Sequence, residues 1–244
     1  MKSRRLTETD LANMSFLPVE AKRARIEAII KPKRIIGSYE PFRSTAGDAL
    51  NEQFPFFFED QGATPLGKLE EAVAKACKGD PTLLKMNLAV ARATHSFATA
   101  RKLSAERLSV RPITLAFGHA YEFGMPLIMR FEGVACVAFP DLRRTGPLTT
   151  RGSRFVGSMM HQRFRVNYPD FRDLRREIWR YQDTHSREIK PIPCSEADLI
   201  SYDDLSADVA ESYAILHSAM LHDEERRRHA THRDAGPLFS TSNG

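Results

Sequence analysis

The chain has 244 residues, of which 42% are hydrophobic and 27% charged, the composition of a globular protein with enough apolar side chains for a core. No apolar run approaches the ~20 residues that a membrane-spanning helix needs, and the basic N-terminus has no apolar stretch behind it that would make a secretory signal. Cys77, Cys136 and Cys194 are too scattered for a disulfide framework or a zinc spacing, and a cytoplasmic location is the expectation that follows.

Residues 19–31 place Val19, Ile26, Ile29 and Ile30 on a helical stripe that Pro32 ends. From 33 to 65, proline, glycine and aromatic residues interrupt any long helix. The run Phe54-Pro55-Phe56-Phe57-Phe58 is too apolar to stay solvated and must dock on the protein's own core or on a partner; docking within the chain is the expectation. Two helices follow. In the first, Pro65 opens, Leu66, Leu69, Val73, Ala76 and Cys77 share a face, and Gly79 closes. In the second, Asp80 caps, Pro81 occupies the first turn, and Leu84, Leu88, Ala91, His95 and Ala98 step along one side, with His95 read as a hydrogen-bonded core residue.

The pattern then shortens. Segments 113–124, 126–133 and 133–142 are aliphatic and aromatic, punctuated by Gly124, Pro126, Gly133 and Pro140, and read as a meander of three antiparallel strands. Over 148–165, Phe155, Val156, Met159, Met160 and Phe164 return to helical spacing, leaving Arg151, Arg154, Arg163 and Arg165 to point elsewhere. Residues 171–182 read as a short helix entering a strand hairpin that turns at 183–186, with a strand at the end of this segment as the alternative. A long helix is expected from Ser206, with Val209, Tyr213, Leu216 and Met220 as its inner edge. Together these elements predict an α+β fold in which a small, mainly antiparallel sheet is flanked by helices. The expected division is an N-terminal helix and extended arm (1–64), an α+β core domain (65–222) and a charged helix end with a disordered tail (223–244).

Charge is distributed unevenly along the chain. Residues 141–190 carry eleven arginines and one lysine against six carboxylates, whereas 191–244 carry four cations against ten. Such a pole attracts anions. Arg143, Arg144, Arg151 and Arg154 surround a glycine-bearing turn and a helix start, where backbone N–H groups add to anion binding. With Arg163 and Arg165 they are the candidate contacts to nucleic-acid phosphate. Docking to an acidic protein surface is the alternative. At least half of the eleven arginines should then be solvent-accessible and gathered on one side of the fold, above buried Phe155 and Met159. If instead the acidic residues of 196–211 cover that surface and pair with most of them, the polarity is an internal clamp.

The order of helix, three strands, Arg-bearing helix, hairpin and final helix over about residues 80–216 resembles the core of restriction-endonuclease-like PD-(D/E)xK proteins, and is similar to an uncharacterised bacterial family. In those nucleases carboxylates hold Mg²⁺ while a lysine positions the attacking water. The strand GVACVAF at 133–139 has neither. Glu132 and Asp141 flank it, and Asp183 with Glu188-Ile189-Lys190 supply an acid and an E-x-K string elsewhere, so a divalent-metal nuclease is the third reading and a fold that has lost catalysis the better one. His222, Glu225, His229 and His232 would share one helical stripe able to hold zinc or nickel, but a solvated helix end is expected there. No Gly-x-Gly-x-x-Gly, Walker, Gly-x-Ser-x-Gly or His-Glu-x-x-His pattern occurs, so no cofactor is expected and the function is read as binding rather than catalysis.

Overall fold

Ser104–Arg107 (β1), Leu127–Phe131 (β4), Val134–Asp141 (β5), Arg175–Tyr181 (β6) and Ile189–Pro193 (β7) form one sheet in the order β1-β4-β5-β6-β7. Ile113–Thr114 (β2) and Ala120–Tyr121 (β3) pair as a separate small hairpin. The computed structural model describes residues 5–31, 38–53, 62–183 and 185–234, without the side chains of Phe117 and of 227–234. Neighbouring strands of the large sheet are antiparallel except β5 and β6, which run parallel. A parallel pair needs a crossover, and the one between β5 and β6 contains the helix Thr150–Met160 (α7). Glu132 and Gly133, which join β4 to β5, have φ of 50° and 77°, the positive values that a tight two-residue hairpin turn demands.

The sheet's two faces carry two separate cores. Along β5, Val137 and Phe139 point into one while Cys136 and Ala138 point into the other; on β6, Ile178 belongs to the first and Trp179 and Tyr181 to the second. This is the period-2 alternation of a strand covered on both sides. Glu8–Met14 (α1), Val19–Ile30 (α2), α7 and Tyr202–Asp234 (α8) cover the first face, contributing Leu11, Ile26, Phe155 and Val209. Glu40–Ser44 (α3), Ala46–Ala49 (α4), Leu66–Ala76 (α5) and Pro81–Ala100 (α6) cover the second with Phe42, Ala49, Leu69 and Val90. The protein is therefore of the α+β class, with a mostly antiparallel sheet between helices.

Local chemistry explains most boundaries. Asp80 caps α6 by accepting from the N–H groups of Thr82 and Leu83, and Thr149 caps α7 by accepting from Gly152. The stripe of Phe155, Val156, Met159, Met160 and Phe164 is wholly buried, as its spacing requires, although the helix widens into a π-helical turn over His161–Val166. On α6 the buried face is Asn87, Val90, Ala91, Thr94 and Ala98, so Leu84, Leu88 and His95 are only partly covered.

Two expectations need correction. Segment 113–124 is not a strand of the large sheet: Gly118 and Gly124, at φ of 73° and 94°, break it into the β2–β3 hairpin, and the outer strand is β1 instead. Residues 175–181 form strand β6 rather than a helix, lying between β5 and β7. The preceding Pro169–Phe171 is only a short 3₁₀ turn. The aromatic run 54–58 falls outside the described residues.

Candidate interaction surface

The arginines of the basic region divide by what they touch. Arg163 is fully buried on the π-helical turn and donates to the backbone carbonyls of Val110, Arg111, Phe123 and Gly124 at 3.0–3.3 Å. Burial pulls its pKa downward, against the nearby acidic groups, so the carbonyl oxygens are what makes the charge tolerable there. It cannot reach a phosphate, which removes it from the candidate contacts. Arg176 is buried too, donating to Gly157 O at 2.7 Å and to Glu196. Arg187, also without exposure, donates Nη2–H to Leu142 O at 2.5 Å.

A second set is engaged at the surface. Arg143 bonds Asp10 at 2.8 Å and Thr7 at 2.9 Å, holding the turn after β5 to the start of α1. Arg151 donates to Phe16 O at 3.1 Å. Arg154 faces Asp198 at 3.4 Å, and Arg165 pairs with Glu196. Burial would raise the Glu196 carboxyl, but hydrogen bonds from Arg176 and Arg165 hold it below the usual range. Among the described residues Arg144 pairs only with Asp183, at 3.8 Å. Arg144, Arg151, Arg154, Arg172 and Arg175 are exposed and Arg143, Arg165 and Arg180 partly so, so more than half of the eleven are solvent-accessible, as expected. Among the described residues Glu196 and Asp198 pair with Arg154, Arg165 and Arg176, three of the eleven and short of the pairing with most of them that an internal clamp requires.

The carboxylates weighed for metal chemistry do not converge. Glu132 sits exposed in the β4–β5 turn and Asp141 at the far end of β5, more than about 20 Å along a strand that rises ~3.3 Å per residue. Asp141 is fully buried, accepting from Leu148 N–H at 3.0 Å and Arg180 Nε–H at 3.4 Å. Asp183, Glu188 and Lys190 are solvent-exposed on or beside the β6–β7 hairpin. Among the described residues no group of three or more His, Cys, Asp or Glu side chains could hold a metal ion. His222 and Glu225 are exposed on α8, and the side chains of His229 and His232 lie outside the description. No helix is long and apolar enough to cross a membrane among the described residues.

The aromatic run is flanked by two firmly held stems. On the N-terminal side, Gln53 N–H donates to Ala105 O at 2.7 Å and Ala105 N–H to Asn51 O at 3.1 Å, so 51–53 lies as a parallel addition to β1. Arg107 grips the Glu52 carboxylate with two bonds of 2.7 Å. Glu52 passes so close to Gly47 that a Cβ there would lie 1.9 Å from its Oε2. On the C-terminal side, His95 hydrogen-bonds Thr64 O at 2.7 Å, the role expected of a core histidine. Asn51 and Gly62 line one cavity of about 340 Å³, so the chain leaves and returns on the same side of the β1 edge. Sequence reasoning marked the aromatic run but not its stems, because Asn51–Gln53 carries no strand pattern of its own.

No curated protein and no solved structure matches the chain. A family model described as the sliding clamp-binding bacterial toxin SocB matches residues 9–229, both helical layers and the whole sheet included, and the chain belongs to that family.

Proposed function

We propose that this chain binds a bacterial sliding clamp as a protein partner, acts in the cytoplasm where such a clamp works, and uses the run Phe54-Pro55-Phe56-Phe57-Phe58 as its anchor. The family match across 9–229 carries the reading, and the run lies inside the matched span. Four phenylalanines and a proline in five positions supply the large aromatic contacts that dominate binding energy at protein interfaces, and proline trims the entropy lost when a short segment is ordered. Stems fixed on β1 and at His95 reduce that cost further. The exposed Arg144, Arg151, Arg172 and Arg175 would speed encounter with an acidic protein surface rather than fix the complex. This puts the basic pole to the use of the acidic-partner alternative; nothing found favours nucleic-acid phosphate.

The test is binding to a purified bacterial sliding clamp by surface plasmon resonance. Replacing Phe56 and Phe57 together with Ala should weaken binding by about 100-fold or more, the loss of two aromatic anchors at ~1.4 kcal/mol per factor of ten, with the circular dichroism spectrum unchanged. Undiminished affinity would reject the run as the anchor. Absence of binding by the unaltered chain would reject the clamp reading altogether.

A further inference from the structure

A cavity of about 370 Å³ opens between α6, the turn after β5 and the β6–β7 turn, and shares no lining residue with the one at the aromatic stems. Its walls are Lys85, Leu88, Ala89 and Arg92 from α6, Arg144 from the turn after β5, and His185 and Ser186 from the hairpin turn. Arg187 stands directly behind. It follows Ser186 in the chain and donates to Leu142 O, two residues before Arg144, so it ties together the two loops that bring Arg144 and His185 to the cavity. Its Nε and Nη1 donors are buried and have no hydrogen-bond partner among the described residues.

The charges do not cancel. Arg92 is matched by Glu70 at 2.6 Å, and Arg144 loosely by Asp183 at 3.8 Å, whose side chain is 68% exposed. Lys85 has no ion pair among the described residues, and neither does Arg187. Four fixed cations therefore surround the cavity with two carboxylates, leaving an excess of two positive charges, while His185 is a further donor. Burial lowers the pKa of Arg187, and Arg144 adds to this while Tyr39, Asp183 and Tyr181 oppose it. A dianion balances this set, and guanidinium forks with an ammonium are the groups that bind phosphate oxygens. Leu88 and Ala89 give the cavity one apolar wall.

From this geometry we propose that the cavity is a binding site for a small phosphate monoester. Lys85 and Arg144 contact the dianionic phosphate, Arg187 holds the two loops in place behind it, and the ester's apolar body lies on Leu88 and Ala89.

Isothermal titration of the full chain with inorganic phosphate and with phenyl phosphate tests this. Both should bind saturably, phenyl phosphate more tightly because only it reaches the apolar wall. Lys85→Ala and Arg144→Ala, both at exposed side chains, should each weaken binding about tenfold, which is ~1.4 kcal/mol, while thermal unfolding of the unliganded protein stays unchanged. Arg172→Ala, at a position 82% exposed and outside the cavity, should bind as the unaltered chain does. No saturable binding up to about 10 mM would overturn the site, as would an equal loss in all three variants, which would mark a general response to surface charge. Equal affinity for the two probes would overturn the apolar wall.

Discussion

The two helical layers on either side of the sheet are built in opposite ways. The layer of α3, α4, α5 and α6 comes from one stretch of chain and packs Phe42, Leu69, Val73 and Val90 against Met129 and Trp179, with the buried Asn87 and Thr94 bonded to partners fewer than 100 residues away. The layer of α1, α2, α7 and α8 gathers both ends of the chain around its middle, and polar pins spanning more than 100 residues set its geometry. Lys22 is fully buried against Asp208 at 2.6 Å and Glu211 at 2.5 Å. Leu6 N–H donates to Tyr213 Oη, which also bonds Tyr121. Asn13 donates to Gly146 O and Pro147 O and accepts from Thr149 N–H. A local layer can find its packing from periodicity and short-range contacts, whereas one assembled from distant segments needs long-range directional contacts to choose among helix registers of similar apolar area.

That contrast predicts where the protein is most easily broken. Lys22→Met keeps the volume but leaves the Asp208 carboxylate buried with only the Phe16 N–H, at 2.8 Å, to satisfy it among the described residues. Removing one partner from a buried ion pair costs about 3–5 kcal/mol, to be read from urea unfolding. A loss under about 1 kcal/mol would mean that apolar packing alone sets the position of α2 on α8. In the other layer, Leu69→Ala should cost about 2–4 kcal/mol through its cavity. Hydrogen exchange would sharpen the comparison: the first variant should lose protection in α1, α2 and α8 ahead of α5 and α6, the second in α5 and α6. Uniform loss in both would show that the layers unfold as one unit. Arg163→Lys retains charge but not the fork that spans four carbonyls, and should cost about 1–2 kcal/mol through the acceptors left unpaired.

The same contrast explains what could be read from the sequence. α5, α6 and the α7 stripe announce themselves through 3.6-residue spacing, caps and closing glycines, and the β4–β5 hairpin through alternation around Glu132-Gly133. Strand β1 offers only Ala105 as an inward apolar residue, and its state is decided by β4 on one side and Asn51–Gln53 on the other. Strand β6 begins Arg-Arg-Glu, a pattern that looks solvated. Yet Arg176 is buried because Gly157 O and Glu196, brought from elsewhere in the fold, satisfy it, and Glu177 because it accepts from the Trp179 indole N–H two residues along the same strand. The basic region was visible as a count of charges, but the destinations of Arg163, Arg176 and Arg187 are carbonyls supplied by tertiary structure. Of the proposed partner surface, the aromatic run could be singled out by its chemistry alone. Its stems and the identity of the partner's family could not.

Asp141, at the seam where β5 leaves both cores, gives the smallest of these effects, and its sign is the test. Leu142 beside it belongs to one core and Leu148, whose N–H it accepts, to the other. Its Oδ1 has no hydrogen-bond partner among the described residues. Burial raises its pKa above the ordinary carboxylate value, with Leu148 N–H, Arg180 and Arg143 opposing only in part. A carboxyl that holds its proton more tightly folded than unfolded leaves the native state with more bound protons between the two pKa values, so its contribution to stability falls as pH rises. That contribution is full below the unfolded value of ~3.9 and is lost as pH climbs through the raised folded value. Asp141→Asn removes the titration while keeping an acceptor for Leu148 and a shape that fits. The stability of the unaltered chain relative to this variant, followed by urea unfolding at successive pH values upward from about pH 4, should therefore decline with pH and then level off. A difference that grew with pH would mean that Arg180, not burial, governs this carboxylate, and the seam would then be held by an ion pair of the kind that pins the first layer.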